Sequence, residues 1–313
     1  MKKIAFIFAL LAIAQVSIFA QNSEIPSSKL FDSKQLLRDV EVLAADDMEG
    51  RGFGTPGGTK AREYVVKRFK ESGLADIDGK NLQPFSITGR DKVERQGANV
   101  YGVIRGTKHP EKYIVISAHY DHVGTRNGEV YNGADDDASG TAALFAMASY
   151  FKKKKPQTSL LFVAFDAEES GLVGSKKFVS EPPVPAARIV MNINMDMVGH
   201  SDKNELYASG SYHNPFLKPY IEPLVKDAKV KLLFGHDTPE QKRDDWTFQS
   251  DHGSFHREKI PFIYFGVEDH KDYHKPTDDY PTLTKPFYVH SVETVLAAVK
   301  VFDQNAAAIK TGK

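Results

Sequence analysis

The chain has no cysteine among its 313 residues. Cysteine-rich zinc sites and cysteine nucleophiles are therefore excluded. Any metal has to be taken by His, Asp and Glu, a hard to borderline donor set suited to Zn, Co or Mn. Neither sign of charge is in excess, since 41 basic residues balance 41 acidic ones. Nucleic-acid binding draws on a clear basic excess, so nucleic acid is not an expected partner. The one basic run, at 152–155, follows the apolar residues Tyr150 and Phe151. Cations there suit the negative end of a helix macrodipole and need no binding role. Two catalytic signatures are also missing. The glycine-rich segment at 48–58 (MEGRGFGTPGG) carries no Gly-Lys-Ser/Thr and reads as a loop, not a P-loop. No Gly-x-Ser-x-Gly elbow occurs, which leaves Ser250-Asp251-His252 without the setting of a serine nucleophile. Asp251 there reads as the cap of a short helix.

Long apolar runs are scarce, and the longest opens the chain (MKKIAFIFALLAIAQVSIFA). Lys2 and Lys3 precede an apolar stretch at 4–14 that is short for a membrane span, and small residues near Ala20 form a cleavage site. The expectation is a signal peptide at 1–20 and a mature domain at 21–313, secreted or periplasmic, with no membrane contact after cleavage. A lipoprotein anchor would need a cysteine. Nothing in the sequence reports the oligomeric state.

What is present alternates regularly. Asp32 followed by Gln35 reads as a capping box opening a helix toward Leu43. Helical spacing at 61–69 stops at Gly73. Strands are expected at 100–104, 113–117, 160–165, 189–195 and 261–266, and helices at 138–151, 173–179, 215–228 and 289–302. The continuous apolar run at 160–165 suits a sheet covered on both faces. The alternation predicts a single doubly wound α/β domain, its mixed, mostly parallel central sheet flanked by helices. Ligand sites of such sheets gather at the carboxyl ends of the strands.

Five ligand-type residues fall at or after such ends or at a helix mouth: His119, Asp136, Glu169, Asp196 and His274. Two histidines and three carboxylates suffice for two adjacent divalent ions when one carboxylate bridges them. In His119-Tyr-Asp121-His122, Asp121 can accept the second ring proton of His119 and fix its tautomer. His122 rivals His119 but has no comparable partner two residues on. The triplet Asp135-Asp136-Asp137 carries repulsion that a cation relieves. An EF-hand reading fails because its twelfth position is Ala146, not Glu. The alternatives are a bridging carboxylate at a helix mouth or a plain acidic helix start. In Asp166-Ala-Glu168-Glu169, neighbouring acids point different ways. Glu169 is assigned as a ligand and Glu168 as the general base for an activated water, with Asp166 ending the strand. Asp196 and His274 are weak signals taken singly.

Together the motifs SAHYDHVG, NGADDDASG, DAEESGLVGS, NMDMVG, SDHGSF and YHKPTDD resemble, in order, those of the di-zinc aminopeptidase family of co-catalytic zinc exopeptidases. That family includes bacterial leucyl aminopeptidases, aminopeptidase Y, plasma glutamate carboxypeptidase and, more distantly, glutaminyl cyclases. The resemblance spans the chain from about Leu43, where LAADDMEGRGFGTPGG resembles the family's N-terminal loop. It implies two zinc ions and peptide substrates. His119 and Asp196 would be private to one ion, Glu169 and His274 to the other, and Asp136 the bridge. Glu168 would be the base, Asp121 the partner of His119, and the Asp136–Asp137 peptide cis, which is rare without proline. Where some secreted members carry an oxyanion-stabilising tyrosine just before Ser-Asp-His, this chain has Trp246-Thr-Phe-Gln-Ser250, so that role has no holder. The protease-associated insert is absent between Gly73 and the strand at 100–104. The expected function is a secreted di-zinc aminopeptidase. The alternatives are a one-zinc glutaminyl-peptide cyclotransferase keeping Asp136, Glu169 and His274, a carboxypeptidase or dipeptidase of the same family, and a non-catalytic binding protein.

Overall fold

In the computed structural model, which describes residues 25–89 and 91–309, the first helix, α1 (Ser33–Leu43), starts as its cap predicts. The Asp32 carboxylate accepts from the amides of Lys34 and Gln35. The expected signal peptide lies outside the described residues. Helix α2 (Pro56–Glu71) begins five residues before its apolar spacing, because Thr55 caps Gly58 and proline suits the first helical turn. The glycine-rich segment is partly helical, since Asp46–Arg51 forms a 3-10 turn.

The strands then run β1 (Leu82–Thr88), β2 (Glu94–Ile104), β3 (His109–His119), β4 (Gly124–Arg126), β5 (Glu129–Tyr131), β6 (Thr158–Phe165), β7 (Ile189–Met195), β8 (Glu205–Ser209), β9 (Lys231–Phe234) and β10 (Phe262–Gly266). Eight of them form one sheet in the order β1-β2-β6-β3-β7-β10-β8-β9, and β4 and β5 form a separate hairpin. The β6-β3, β3-β7, β7-β10 and β8-β9 pairs are parallel, and the other three are antiparallel. The sheet is thus mixed and mostly parallel, as expected.

Helices α3 (Gly140–Lys153) and α7 (Lys285–Asn305) cover one face with α1 and α2. Helices α4 (Val173–Ser180) and α6 (His252–Arg257) cover the other. Every residue of β6 and β7 is buried, the consequence of helices on both faces. Lys152 and Lys153 end α3, as the macrodipole argument requires. The expected helix at 215–228 is the clearest departure. It is one turn of helix, α5 (Lys218–Ile221), followed by a 3-10 segment, Glu222–Lys226. Pro223 supplies no amide to an α-helical ladder and crowds the preceding turn, which splits the amphipathic stretch. Strands β1, β8 and β9 were not expected, and all three lie at or next to the sheet margins.

The central strand β3 lies between β6 and β7. The chain leaves it to one side through α3 and returns to the other through α4. His119 pairs in register with Phe165, and Ser117 with Asn194. The exits of β3, β6 and β7 therefore open side by side, with β10 next in line.

Candidate metal centre

Those four exits and the mouth of α3 bring the five expected residues together. His119 Nε2 lies 3.2 Å from Asp136 Oδ1 and 3.5 Å from Asp196 Oδ1. His274 Nε2 lies 3.1 Å from Asp136 Oδ2 and 3.2 Å from Glu169 Oε1. Asp136 thus turns one oxygen to each pair. His119 Nε2 and Glu169 Oε1 are fully buried with no hydrogen-bond partner, an arrangement that leaves both lone pairs for a cation.

Charge points the same way. Burial and the charge of Asp136 oppose ionisation of Glu169, but His122 and His274 outweigh them and hold it at about 2. Burial disfavours a charged His274, yet Asp136 and Glu169 push it up to about 10. His119 likewise rises against its burial, drawn up by Asp196 and by its contacts with Asp121 and Asp136. A cluster that pulls protons onto its histidines is one that divalent ions would satisfy instead. The donors fit such ions.

The acidic triplet divides its labour. Asp137 lies close enough to His119 and Asp196 to be a rival ligand, but its oxygens are engaged by the amides of His119, Gly140 and Met197. Asp135 binds the Gly199 amide, the Ser139 hydroxyl and His270. Only Asp136 is free of such duties. The Asp136–Asp137 peptide is cis, as the resemblance implied. Asp278, which the sequence did not single out, receives the amides of Asp135 and Asp136 and fixes the triplet from the loop that carries His274.

Asp121 differs from expectation. His119 Nδ1 meets the Asp121 backbone carbonyl at 3.1 Å, while the carboxylate stands 3.7 Å away. The carboxylate instead accepts the amides of Glu168 and Glu169. With Asp166 taking the Ala167 amide, three successive amides of the turn after β6 end on carboxylates. This holds Ala167 at φ 59; Met197 and His274 also have positive φ, at 59 and 53. Such strained residues, roughly 1–3 kcal/mol each, collect where a site over-determines the backbone. Asp166 ends its strand as expected, accepting from Tyr120 and Ala98.

Glu168 lines the cavity in front of the cluster. Burial pushes its carboxyl well above the ordinary range, and Asp196, Asp251 and Glu169 add to this while His119 opposes it. Ser250-Asp251-His252 is no triad. His252 Nε2 meets the Trp246 carbonyl at 2.9 Å, and Ser250 accepts from Asn194. Asp251 occupies the helix N-cap position without capping; both its oxygens are buried without partners, and burial lifts it to about 7.

By sequence Arg51 belongs only to a glycine-rich loop. Its buried guanidinium donates to the carbonyls of Leu43, Tyr120, Asn132, Gly133 and Asp136, tying the exit of β3 to the approach to the triplet. An arginine between two loop glycines was its only sequence signal. His122, rated below His119, also reaches the cluster, with Nδ1 2.8 Å from Glu169 Oε1.

The sequence model of peptidase family M28 matches residues 99–299, nearly two thirds of the chain and every residue of the cluster. The chain belongs to peptidase family M28. It is 31% identical over 296 residues to aminopeptidase YwaD of Bacillus subtilis, covering 90% of this chain and 58% of that protein. It is 28% identical to a probable zinc metalloprotease of Pyrenophora teres f. teres, covering 74% of this chain and 50% of that protein. It thus spans about half the length of these curated relatives. Among solved structures, an aminopeptidase from Aneurinibacillus sp. strain AM-1 shares the fold with TM-score 0.71 and 18% identity, covering 87% of this chain and 94% of that one. Porphyromonas gingivalis glutaminyl cyclase does so with TM-score 0.70 and 18% identity, covering 87% and 99%. The M28 fold therefore does not by itself choose between hydrolysis and cyclisation.

Proposed function

We propose that the chain is a secreted metallo-aminopeptidase that holds two zinc ions and removes amino-terminal residues from peptides. The observation that carries this reading is Asp136, whose two oxygens each face a separate His-carboxylate pair. His119 and Asp196 would hold one ion, Glu169 and His274 the other, and Asp136 both. When bound, such ions polarise the scissile carbonyl and acidify a water. The chain supplies the rest. Glu168 takes the proton of the attacking water and returns it to the leaving amine. The Asp121 carboxylate fixes the turn that aims Glu168, and the Asp121 carbonyl orients His119.

The cavity, about 310 Å³, favours an amino-terminal substrate. Its lining includes Asp136, Glu168, Glu169, Asp196 and Asp269 but no lysine or arginine. Beyond the metal ligands a free carboxylate would find no cationic side chain, whereas a free ammonium would find Asp269. Trp246, Phe248, Leu172 and Met197 offer apolar surface for a side chain. Two tyrosines reach the cavity. Tyr264 donates to the Asp196 carbonyl, which leaves Tyr273, whose hydroxyl sits in the field of Asp136 and Asp196, to meet the carbonyl oxygen.

A glutaminyl cyclase would need only Asp136, Glu169 and His274. The additional His119-Asp196 pair favours the peptidase. The test is a panel of aminoacyl-arylamides, amino-blocked peptides, carboxy-terminal substrates and peptides beginning with glutamine, with zinc counted on the same sample. Turnover of free aminoacyl substrates with two zinc ions per chain is expected. One zinc with cyclisation of amino-terminal glutamine would sink the proposal.

A further inference from the structure

Building on that two-ion reading, we propose that His122 is a fourth protein ligand to the ion held by Asp136, Glu169 and His274, making the two metal positions unequal. His122 Nδ1 stands 2.8 Å from Glu169 Oε1 and 3.6 Å from Asp136 Oδ2. The first separation is short enough for a hydrogen bond, yet Nδ1 and Oε1 are both buried without one. Their directions do not meet along an N–H vector, as a hydrogen bond demands. The ligand atoms of His122, Asp136 and Glu169 all lie within 4.8 Å of one another, close enough to share one ion. Metal bonds of about 2.0–2.2 Å in a tetrahedral arrangement place neighbouring ligand atoms about 3.3–3.6 Å apart. Of the separations around this point, 3.1, 3.2 and 3.6 Å lie near that span and 2.8 Å is shorter. Those on the other side of Asp136, 3.2 and 3.5 Å, also lie near it, with three donors only.

The imidazole is also held in place. His122 donates its amide to the Arg51 carbonyl. Its ring lies flat against Gly133, where a Cβ would come within 2.5 Å of His122 Cγ and Cδ2. The side chain is fully buried. A ring clamped on one face, with Nδ1 turned to two carboxylates, has little freedom to leave.

The consequence is functional. Four protein donors nearly close a zinc site, while three leave a position open. The ion between Glu169 and His274 would bind first and exchange slowly. The ion between His119 and Asp196 would be the weaker one, with room for substrate.

The test is zinc titration with X-ray absorption on the wild-type protein. At one equivalent of zinc, two imidazoles per metal are expected. A single imidazole per metal would overturn the assignment and leave the two-ion reading intact, whereas failure to bind a second equivalent would defeat that reading first. His122→Ala is expected to weaken the tighter dissociation constant by about a hundredfold or more and to bring the count to one imidazole. Unchanged affinity in a folded His122→Ala protein would also overturn it. A milder loss with one imidazole already in the wild type would make His122 a positioning residue and equally overturn the ligand role.

Discussion

At the scale of single residues, two side chains divide the chemistry. Glu168 touches the cavity but belongs to neither His-carboxylate pair, so Glu168→Gln is expected to keep both ions while lowering turnover by about 10²–10⁴, the range of general acid-base catalysis. Metal counting and kcat on the same preparation check both halves, and near-normal turnover would remove Glu168 as the base. Tyr273 meets a different need. If its hydroxyl stabilises the oxygen of the developing tetrahedral centre, Tyr273→Phe should lower kcat by about 10²–10³ with little change in KM. A change confined to KM would assign Tyr273 to binding alone. Arg51 acts through architecture. Its five carbonyl acceptors and the nearby acids Asp136, Asp278, Asp137 and Asp121 all depend on one guanidinium. Arg51→Met leaves them unpaired in the interior, a cost of about 3 kcal/mol or more that urea unfolding would register.

At the scale of elements, the turns between strand and site decide what function is possible. Gly133 stands at φ 56 at the start of the triplet, where a Cβ would meet the Asp136 carbonyl at 2.1 Å. Gly133→Ala is therefore expected to destabilise by more than about 1 kcal/mol and to impair zinc binding, since the loop can yield only by moving Asp136 and the His122 ring. A variant of native stability and full zinc content would contradict this. The elements that position the site were also the legible ones. β6 is apolar from Leu160 onward and β7 is apolar but for the buried Asn192 and Asn194, because helices cover both faces of the sheet, and the sequence pattern marks 189–195 to the residue. β8 and β9 escaped because short marginal strands owe their form to neighbours, which no local pattern records. The break at Pro223 was written in the sequence, but the amphipathic spacing masked it. Among site residues, His119, Asp136, Glu169, Asp196 and His274 are readable as donors at or after strand ends or at a helix mouth, weak signals singly that gain force from their ordered motifs. The tasks of Asp121 and Asp278 are not, because both are defined by backbone amides that approach from distant segments.

At the scale of the whole molecule, the buried acids couple stability to pH and to metal. Burial, with the neighbouring charge of Asp121, raises Asp166 to about 7 in the fold, against about 3.9 in an unfolded chain. The folded state then binds the extra proton, so this contribution is fully present below about pH 4 and is lost as pH rises through 7. Its ceiling is about 4 kcal/mol, and Asp166→Asn should flatten the decline of metal-free stability between pH 4.5 and 7.5 by a measurable part of that. An unaltered slope would count against a protonated Asp166. Metal works in the opposite sense. The donors come from five separated segments, and an ion that binds only their assembled form stabilises the fold by about 2.7 kcal/mol at a hundredfold excess over Kd. Its removal should not be felt evenly. β3 from Tyr113 onward, β6 and β7 are buried and paired on both sides, so their amides owe little to the ions. The loop carrying His274 meets the triplet through Asp278 as well as through the proposed ions, and half of His274 is open to solvent. Chelation should therefore raise hydrogen exchange first at 267–279 and at 133–139, leaving the central strands protected. Exchange rising uniformly across the sheet would instead make the ions structural for the whole domain, and equal protection with and without chelator would mean that the cluster holds no ion at all.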